Sequence, residues 1–229
     1  MPAPRAAVWD VDGTLVDTAE IHFAAWAAFA TAHGFPFTRA DFAATFGKRN
    51  PEIVRQLFDP AAEDGRCAEW GEEKERLYRD ATDRAGVALL PGVRALVEGL
   101  AAAGWVQGLG SSAPRANLDL ILRHTGTADR FRAVVSGDDV TRGKPDPEVF
   151  LKAAAGLGVP ADRCVVFEDA PSGVQAAKAA GMACVGVTFV GHHPPDRLRA
   201  AGADLVVPSL ETVSPESVAG LLDWSGLRS

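Results

Sequence analysis

The stretch Ala6-Ala7-Val8-Trp9-Asp10-Val11-Asp12-Gly13-Thr14-Leu15-Val16-Asp17 passes from four apolar residues to three acids within twelve positions. A short apolar run that breaks at a glycine turn predicts a buried strand over Ala6 to Trp9, ending in a loop. Carboxylates set directly after a buried strand cost free energy unless a counter-charge meets them. Gly13 permits a sharp turn, which lets backbone N–H groups converge beside Asp10.

Working outward, five more runs read as strands: Trp105 to Leu109, Ala133 to Val135, Cys164 to Phe167, Ala183 to Val187 and Leu205 to Val207. Between them, Val93 to Ala103, Pro114 to His124, Pro147 to Leu157 and Ser172 to Ala180 have helical patterns. Strands alternating with helices predict an α/β fold, a parallel sheet wrapped by helices. Pro114, Pro147 and Pro171 fall near helix starts, where a missing N–H costs nothing, and Asp146 is placed to cap the helix after it. From about Thr18 to Ala85 the alternation fails. That segment reads as helices only, with turns at His33-Gly34, Phe46-Gly47 and Asp59-Pro60. Asp17 and Glu20 have capping-box spacing, and Ile21, Ala24, Ala25 and Ala28 predict one apolar face. The expected organisation is a core domain of residues 1–17 and 88–229 and an inserted all-helical domain of 18–87, joined near Val16-Asp17 and Leu90-Pro91.

The 229 residues are 47% hydrophobic and 23% charged, an ordinary globular composition. A net charge of −7 gives no footprint for DNA or RNA, so no nucleic-acid partner is expected. There is no run of about 18 apolar residues to span a membrane. Asp10 and Asp12 interrupt any signal-peptide core, so the cytoplasm is the expected compartment. Cys67, Cys164 and Cys184 form no metal-spaced pair, and the last two read as core residues. Nothing in the sequence fixes an oligomeric state, and a monomer is compatible with it.

The strand ends carry the chemistry, since ligands of open α/β sheets bind there. Gly110-Ser111-Ser112 sets hydroxyls ahead of a helix. In Arg142-Gly143-Lys144-Pro145-Asp146-Pro147 a lysine is pinned between glycine and proline, and Glu168-Asp169 adds two acids. Oxygen-only ligands of this kind favour Mg²⁺. A carboxylate nucleophile, a second carboxyl, a cation and a metal are what phosphoryl transfer needs.

Asp-x-Asp-Gly-Thr-Leu-x-Asp at 10–17 resembles the first motif of the haloacid dehalogenase-like superfamily, and Ser111, Lys144 and Glu168-Asp169 match the other three in order. The resemblance covers nearly the whole chain and implies a Rossmann-like core with a helical cap of the C1 type. It implies that Asp10 is the nucleophile and that Asp12 protonates the leaving oxygen, then deprotonates water. Thr14 and Ser111 would bind phosphoryl oxygens, with Ser112 beside them, and Lys144 would neutralise charge. Asp10, Asp169 and the Asp12 carbonyl would hold Mg²⁺, with Glu168 ligating directly or through water. Dehalogenases do not keep the second aspartate, so Asp12 argues for phosphate. A Schiff-base lysine is not indicated, because neither Lys48 nor Lys74 has a matching context.

Plainer readings stand beside several of these. Ser111 and Ser112 could merely cap the next helix. His22 reads more simply as a half-buried structural histidine than as a substrate ligand. Lys48-Arg49, at a turn of the insert, is the substrate-specificity candidate or else a solvated turn. Glu72-Glu73-Lys74-Glu75-Arg76 reads as an exposed helix face. His192-His193, ahead of two prolines, reads as a loop.

The expected activity is a phosphatase acting on a small phosphorylated metabolite. The alternative is a phosphosugar mutase, because Val16 to Trp26 resembles β-phosphoglucomutases. Two departures weigh against the mutase. Pro114 and Arg115 stand where mutases carry lysine and asparagine, and Lys48-Arg49-Asn50 shifts the cap cation, although Arg115 or Arg49 could compensate. A non-catalytic binding protein on the same fold is disfavoured by the intact motif residues.

Overall fold

Both faces of the central sheet are apolar, and that is what wraps it in helices. The structure, a computed structural model, describes residues 4–225. The outer ends of the expected core domain, 1–3 and 226–229, lie outside the described residues. The strands are β1 (Ala6–Trp9), β2 (Val106–Gly110), β3 (Ala133–Val135), β4 (Cys164–Glu168), β5 (Ala183–Val187) and β6 (Leu205–Val207). They form one parallel sheet in the order β3-β2-β1-β4-β5-β6. The fold is α/β and Rossmann-like, as the alternation predicts.

The helices are α1 (Ala19–His33), α2 (Arg39–Thr45), α3 (Asn50–Leu57), α4 (Asp64–Ala85), α5 (Val93–Ala102), α6 (Arg115–Thr125), α7 (Glu148–Leu157), α8 (Pro171–Ala179), α9 (Pro195–Ala201) and α10 (Pro215–Ser225). Alternate strand residues divide between two cores. Trp9, Phe167 and Val185 pack with α5, α6 and α10, and Val8, Val166 and Cys184 pack with α7, α8 and α9. Trp9 stacks on Phe167 at 4.0 Å between centroids. Its indole N–H donates to Gln107 Oε1, so even this polar atom is satisfied in the core. Each such fully buried large side chain contributes about 2–3 kcal/mol. The strand order turns back between β1 and β4, which opens a crevice at their C-terminal ends, where Asp10, Ser111 and Glu168 emerge.

Among the described residues, 19–85 hold no strand. Their four helices enclose a separate aromatic core that includes Trp26, Phe29, Phe58 and Trp70. Two local expectations are corrected here. Glu20 does not close a capping box with Asp17; its carboxylate pairs with Arg39 at 2.5 Å. The capping box of this region is Thr38–Asp41, which opens α2. The buried face of α1 is Ala19, Ala25, Trp26, Phe29 and Ala30, and Ala24 and Ala28 are exposed. Alanine occurs on every side of α1, so its periodicity is degenerate, and the aromatic rings decide which face turns inward. The two joints lie side by side: Val16 bridges to Leu89, and the Leu90 N–H donates to the Leu15 carbonyl at 2.8 Å.

Candidate active site

The loop after β1 is wound tightly, with the N–H groups of Thr14, Leu15 and Val16 all donating to the Val11 carbonyl. Gly13 has φ of 88°, and a Cβ there would fall 2.1 Å from Asp169 Oδ2. Glycine is therefore required twice, for the backbone and for the space. The turn presents Asp10 to Lys144, whose Nζ lies 2.6 Å from Asp10 Oδ1 and 2.7 Å from Glu168 Oε1. All three side chains are buried. Glu168 Oε2 accepts from the Ala170 N–H, so both of its oxygens are engaged. Asp169 Oδ2 and Thr14 Oγ1 are buried with no hydrogen-bond partner.

Burial, helped by the charges of Glu168 and Asp12 and opposed by Lys144, lifts Asp10 to about 8. Asp169 is driven well above the usual carboxylate range by burial and by its neighbours Glu168 and Asp10. Asp10, Glu168 and Asp169 each offer an oxygen within 4.8 Å of the others. Crowded buried carboxylates, one with an orphaned oxygen, fit a hard divalent cation.

Asp12 sits differently. Burial pushes its carboxyl up, but hydrogen bonds from His22 and Thr18 and the charges of His22 and Lys74 win, and it lies below its ordinary value. His22 Nε2 is 3.4 Å from Asp12 Oδ1, its Nδ1 is 2.7 Å from Lys74 Nζ, and its ring stacks on Tyr78. His22 is thus half-buried and also lines the cavity.

That cavity, about 690 Å³ with its open mouth included, lies between the sheet edge and the helical segment. It brings together Asp10, Asp12, His22, Ser111, Ser112, Lys144, Glu168, Asp169 and Lys48. Ser111 is buried, and its Oγ accepts from the Ala113 N–H, outside the helix. The first N–H of α6, on Arg115, goes to Asp138 instead, so the plain capping reading of Ser111 does not describe this structure. Arg49 and Arg115 are not brought to the cavity. Arg49 donates to the Thr141 carbonyl at 3.0 Å, and Arg115 pairs with Asp119 on its own helix.

The run 72–76 is not an exposed face. Lys74 and Glu75 are each 2% exposed and line the cavity. The signal was available in α4: Trp70 and Tyr78, eight apart, mark a buried face on which position 74 lies midway.

The sequence profile of the haloacid dehalogenase-like hydrolases matches residues 4–181. The chain belongs to this family. It is 35% identical over 210 residues to a β-phosphoglucomutase of Bacillus subtilis, covering 89% of this chain and 88% of that one. It is 32% identical over 187 residues to a fructose-1-phosphate phosphatase of Escherichia coli, covering 80% and 96%. The crystal structure of a β-phosphoglucomutase from Clostridium difficile superposes with a TM-score of 0.86 at 26% identity, covering 98% and 100%. The protein is thus an enzyme of the haloacid dehalogenase-like kind, whose relatives include phosphatases and phosphomutases. No helix among the described residues is long and apolar enough to cross a membrane.

Proposed function

We propose that this haloacid dehalogenase-like enzyme is a Mg²⁺-dependent phosphatase that hydrolyses a small phosphorylated metabolite, sugar-phosphate-like, through phospho-Asp10. The observation that carries this reading is the meeting of Asp10, Asp12, Lys144 and Asp169 in one cavity roofed by helices. Residues 18–87 act as its cap, and 1–17 with 88–229 as its catalytic core.

Asp10 attacks phosphorus, and the bond to the leaving oxygen breaks as Asp12 delivers its proton to that oxygen. Asp12, then a carboxylate, removes a proton from water, and the hydroxide cleaves phospho-Asp10 to release inorganic phosphate. His22, Thr18 and Lys74 favour the ionised form of Asp12, which suits the second step, and an arriving phosphoryl anion raises its proton affinity for the first. Ser111 and Ser112 line the cavity where the phosphoryl group would sit, whereas Thr14, expected beside them, is fully buried and does not line it, and His22 orients Asp12. Asp10, Asp169 and the Asp12 carbonyl would hold Mg²⁺, which would stabilise charge on the phosphoryl oxygens. Glu168, engaged by Lys144 and the Ala170 N–H, would add its negative charge beside the metal. A closed cap excludes competing solvent.

Metal affinity is coupled to protons, because ligands must be deprotonated to bind. Without metal, Asp10 stays protonated up to about pH 8. Its raised carboxyl costs the metal-free protein stability as pH climbs from about 4 to 8. At a fixed Mg²⁺ concentration the rise in melting temperature is therefore expected to be larger at pH 8 than at pH 6. A smaller rise at pH 8, in thermal melts with and without chelator, contradicts this ligand set.

The phosphatase reading is preferred over the mutase because neither Arg49 nor Arg115 lines the cavity, each being engaged by another partner. Supplied with β-glucose 1-phosphate, a trace of the 1,6-bisphosphate and Mg²⁺, the enzyme is expected to release phosphate faster than it forms glucose 6-phosphate. Isomerisation running well ahead of phosphate release makes it a mutase. A panel of phosphate esters at fixed Mg²⁺ then identifies the substrate.

A further inference from the structure

His22 makes both of its polar contacts in the plane of its ring. Lys74 Nζ, which has only protons to give, lies 2.7 Å from Nδ1, so Nδ1 accepts and the ring proton sits on Nε2. Nε2 in turn lies 3.4 Å from Asp12 Oδ1. Both contacts are lost if the ring turns about its Cβ–Cγ bond, and that torsion has no sharp preference of its own. What fixes the plane is Tyr78 of α4. Its ring lies 4.0 Å from the imidazole between centroids and 14° from parallel, whereas Phe46 meets His22 edge-on at 6.3 Å. Tyr78 is fully buried and does not line the cavity. Its hydroxyl has no hydrogen-bond partner, so the ring is what the neighbourhood of His22 uses.

We propose that Tyr78 is a positioning residue, whose ring holds His22 so that Asp12 is set to pass its proton to the leaving oxygen. The inference rests on the reading of Asp12 as the proton donor. In that step the bond from Asp10 to phosphorus forms as the bond to the ester oxygen breaks, and the proton moves from Asp12 to that oxygen. Delivery is efficient only from a donor within hydrogen-bond reach of the acceptor. His22 and Thr18 both contact Asp12 at Oδ1, which leaves Oδ2 for the proton. A His22 ring that turns freely still fills its space but no longer fixes the carboxyl. Thr18 keeps its own hold, so the loss is partial.

The test compares two classes of ester at saturating Mg²⁺. p-Nitrophenyl phosphate releases a stable anion that needs no proton, whereas glucose 6-phosphate, fructose 1-phosphate and glycerol 2-phosphate release an alkoxide that must be protonated. Their kcat/KM values report only the steps up to phospho-Asp10, before Asp12 acts on water. Asp12→Asn is expected to slow the alkyl esters by about a hundredfold more than p-nitrophenyl phosphate. Tyr78→Leu is expected to show the same bias at about tenfold, and Tyr78→Phe, which keeps the ring, to restore the wild-type ratio. Lost packing alone slows both classes alike. Equal losses in folded Tyr78→Leu, with the bias present in Asp12→Asn, overturn the proposal and leave the Asp12 reading standing. Equal losses in Asp12→Asn overturn both. The imidazole nitrogen NMR signals of His22, identified by their absence from His22→Gln, read the ring without turnover. Wild type and Tyr78→Phe are expected to show one tautomer, protonated on Nε2, and Tyr78→Leu a mixture. If no alkyl ester is hydrolysed the phosphatase reading fails, and the tautomers alone decide the role of Tyr78: a single one in Tyr78→Leu overturns it. Mixed tautomers in the wild type overturn it with no variant needed, and Tyr78→Met takes the place of a Tyr78→Leu that does not fold.

Discussion

Asp10→Asn is expected to reduce phosphate release from p-nitrophenyl phosphate below about one ten-thousandth of wild type, the scale of removing a covalent nucleophile. An amide of the same shape fills the same space, but it has no anionic oxygen with which to attack phosphorus. The substitution also removes one of three buried acids, the one that burial and Glu168 already strain toward protonation. The metal-free variant is therefore expected to melt no lower than the wild type. Its stabilisation by Mg²⁺ is expected to shrink, because one charged ligand is gone. This pairing of outcomes separates lost chemistry from lost structure. Ordinary turnover in a well-folded Asp10→Asn protein rules out phospho-Asp10 as the intermediate, and full wild-type activity in excess chelator rules out the metal.

The sheet was legible because strand burial writes itself directly into sequence. Each predicted strand lies within a residue of one in the structure, since a two-sided parallel sheet demands unbroken apolar runs such as Cys164 to Phe167. The acidic edge was legible for a related reason: acids and a lysine at the ends of such runs have no other cheap explanation. Asp10, Asp12, Ser111, Lys144, Glu168 and Asp169 do converge. The segment 19–85 was legible as helices but not as surfaces. Alanine at most positions of α1 leaves its inward face undetermined until Trp26 and Phe29 find partners in other helices. Lys74 and Glu75 looked solvated because charge is normally exposed. Only the Trp70–Tyr78 spacing in α4 marks their face as inward, and the partners that satisfy their charge, His22, Asn50 and Asn117, lie far away in sequence. Arg49 and Arg115 were drawn to the cavity by analogy, whereas Thr141 and Asp119 offered them nearer acceptors.

Lys144→Ala is expected to lower kcat by about a hundredfold or more, the scale of removing a preorganised charge from a transition state. The lysine touches Asp10 and Glu168 at once. Burial disfavours its charge, yet the two carboxylates prevail and hold its pKa above the ordinary lysine value. Removing one member of a buried ion cluster leaves its partners uncompensated, so a stability loss of about 3–5 kcal/mol is expected at neutral pH in the metal-free protein. That loss has a sign in pH. Without the cation, Asp10 and Asp169 hold their protons to still higher pH, which spares the variant part of the penalty below neutrality and exposes it fully above. Activity moves the opposite way. Attack requires ionised Asp10, so the rising limb of the variant's pH–rate profile is expected to lie at higher pH than the wild-type limb, measured at saturating Mg²⁺. Lys144→Met, closer in volume, is expected to show the same displaced limb with a milder loss of melting temperature. A variant slowed at every pH with an unmoved limb would assign Lys144 a purely structural part, because a residue that only packs the loop has no means of shifting the proton affinity of Asp10.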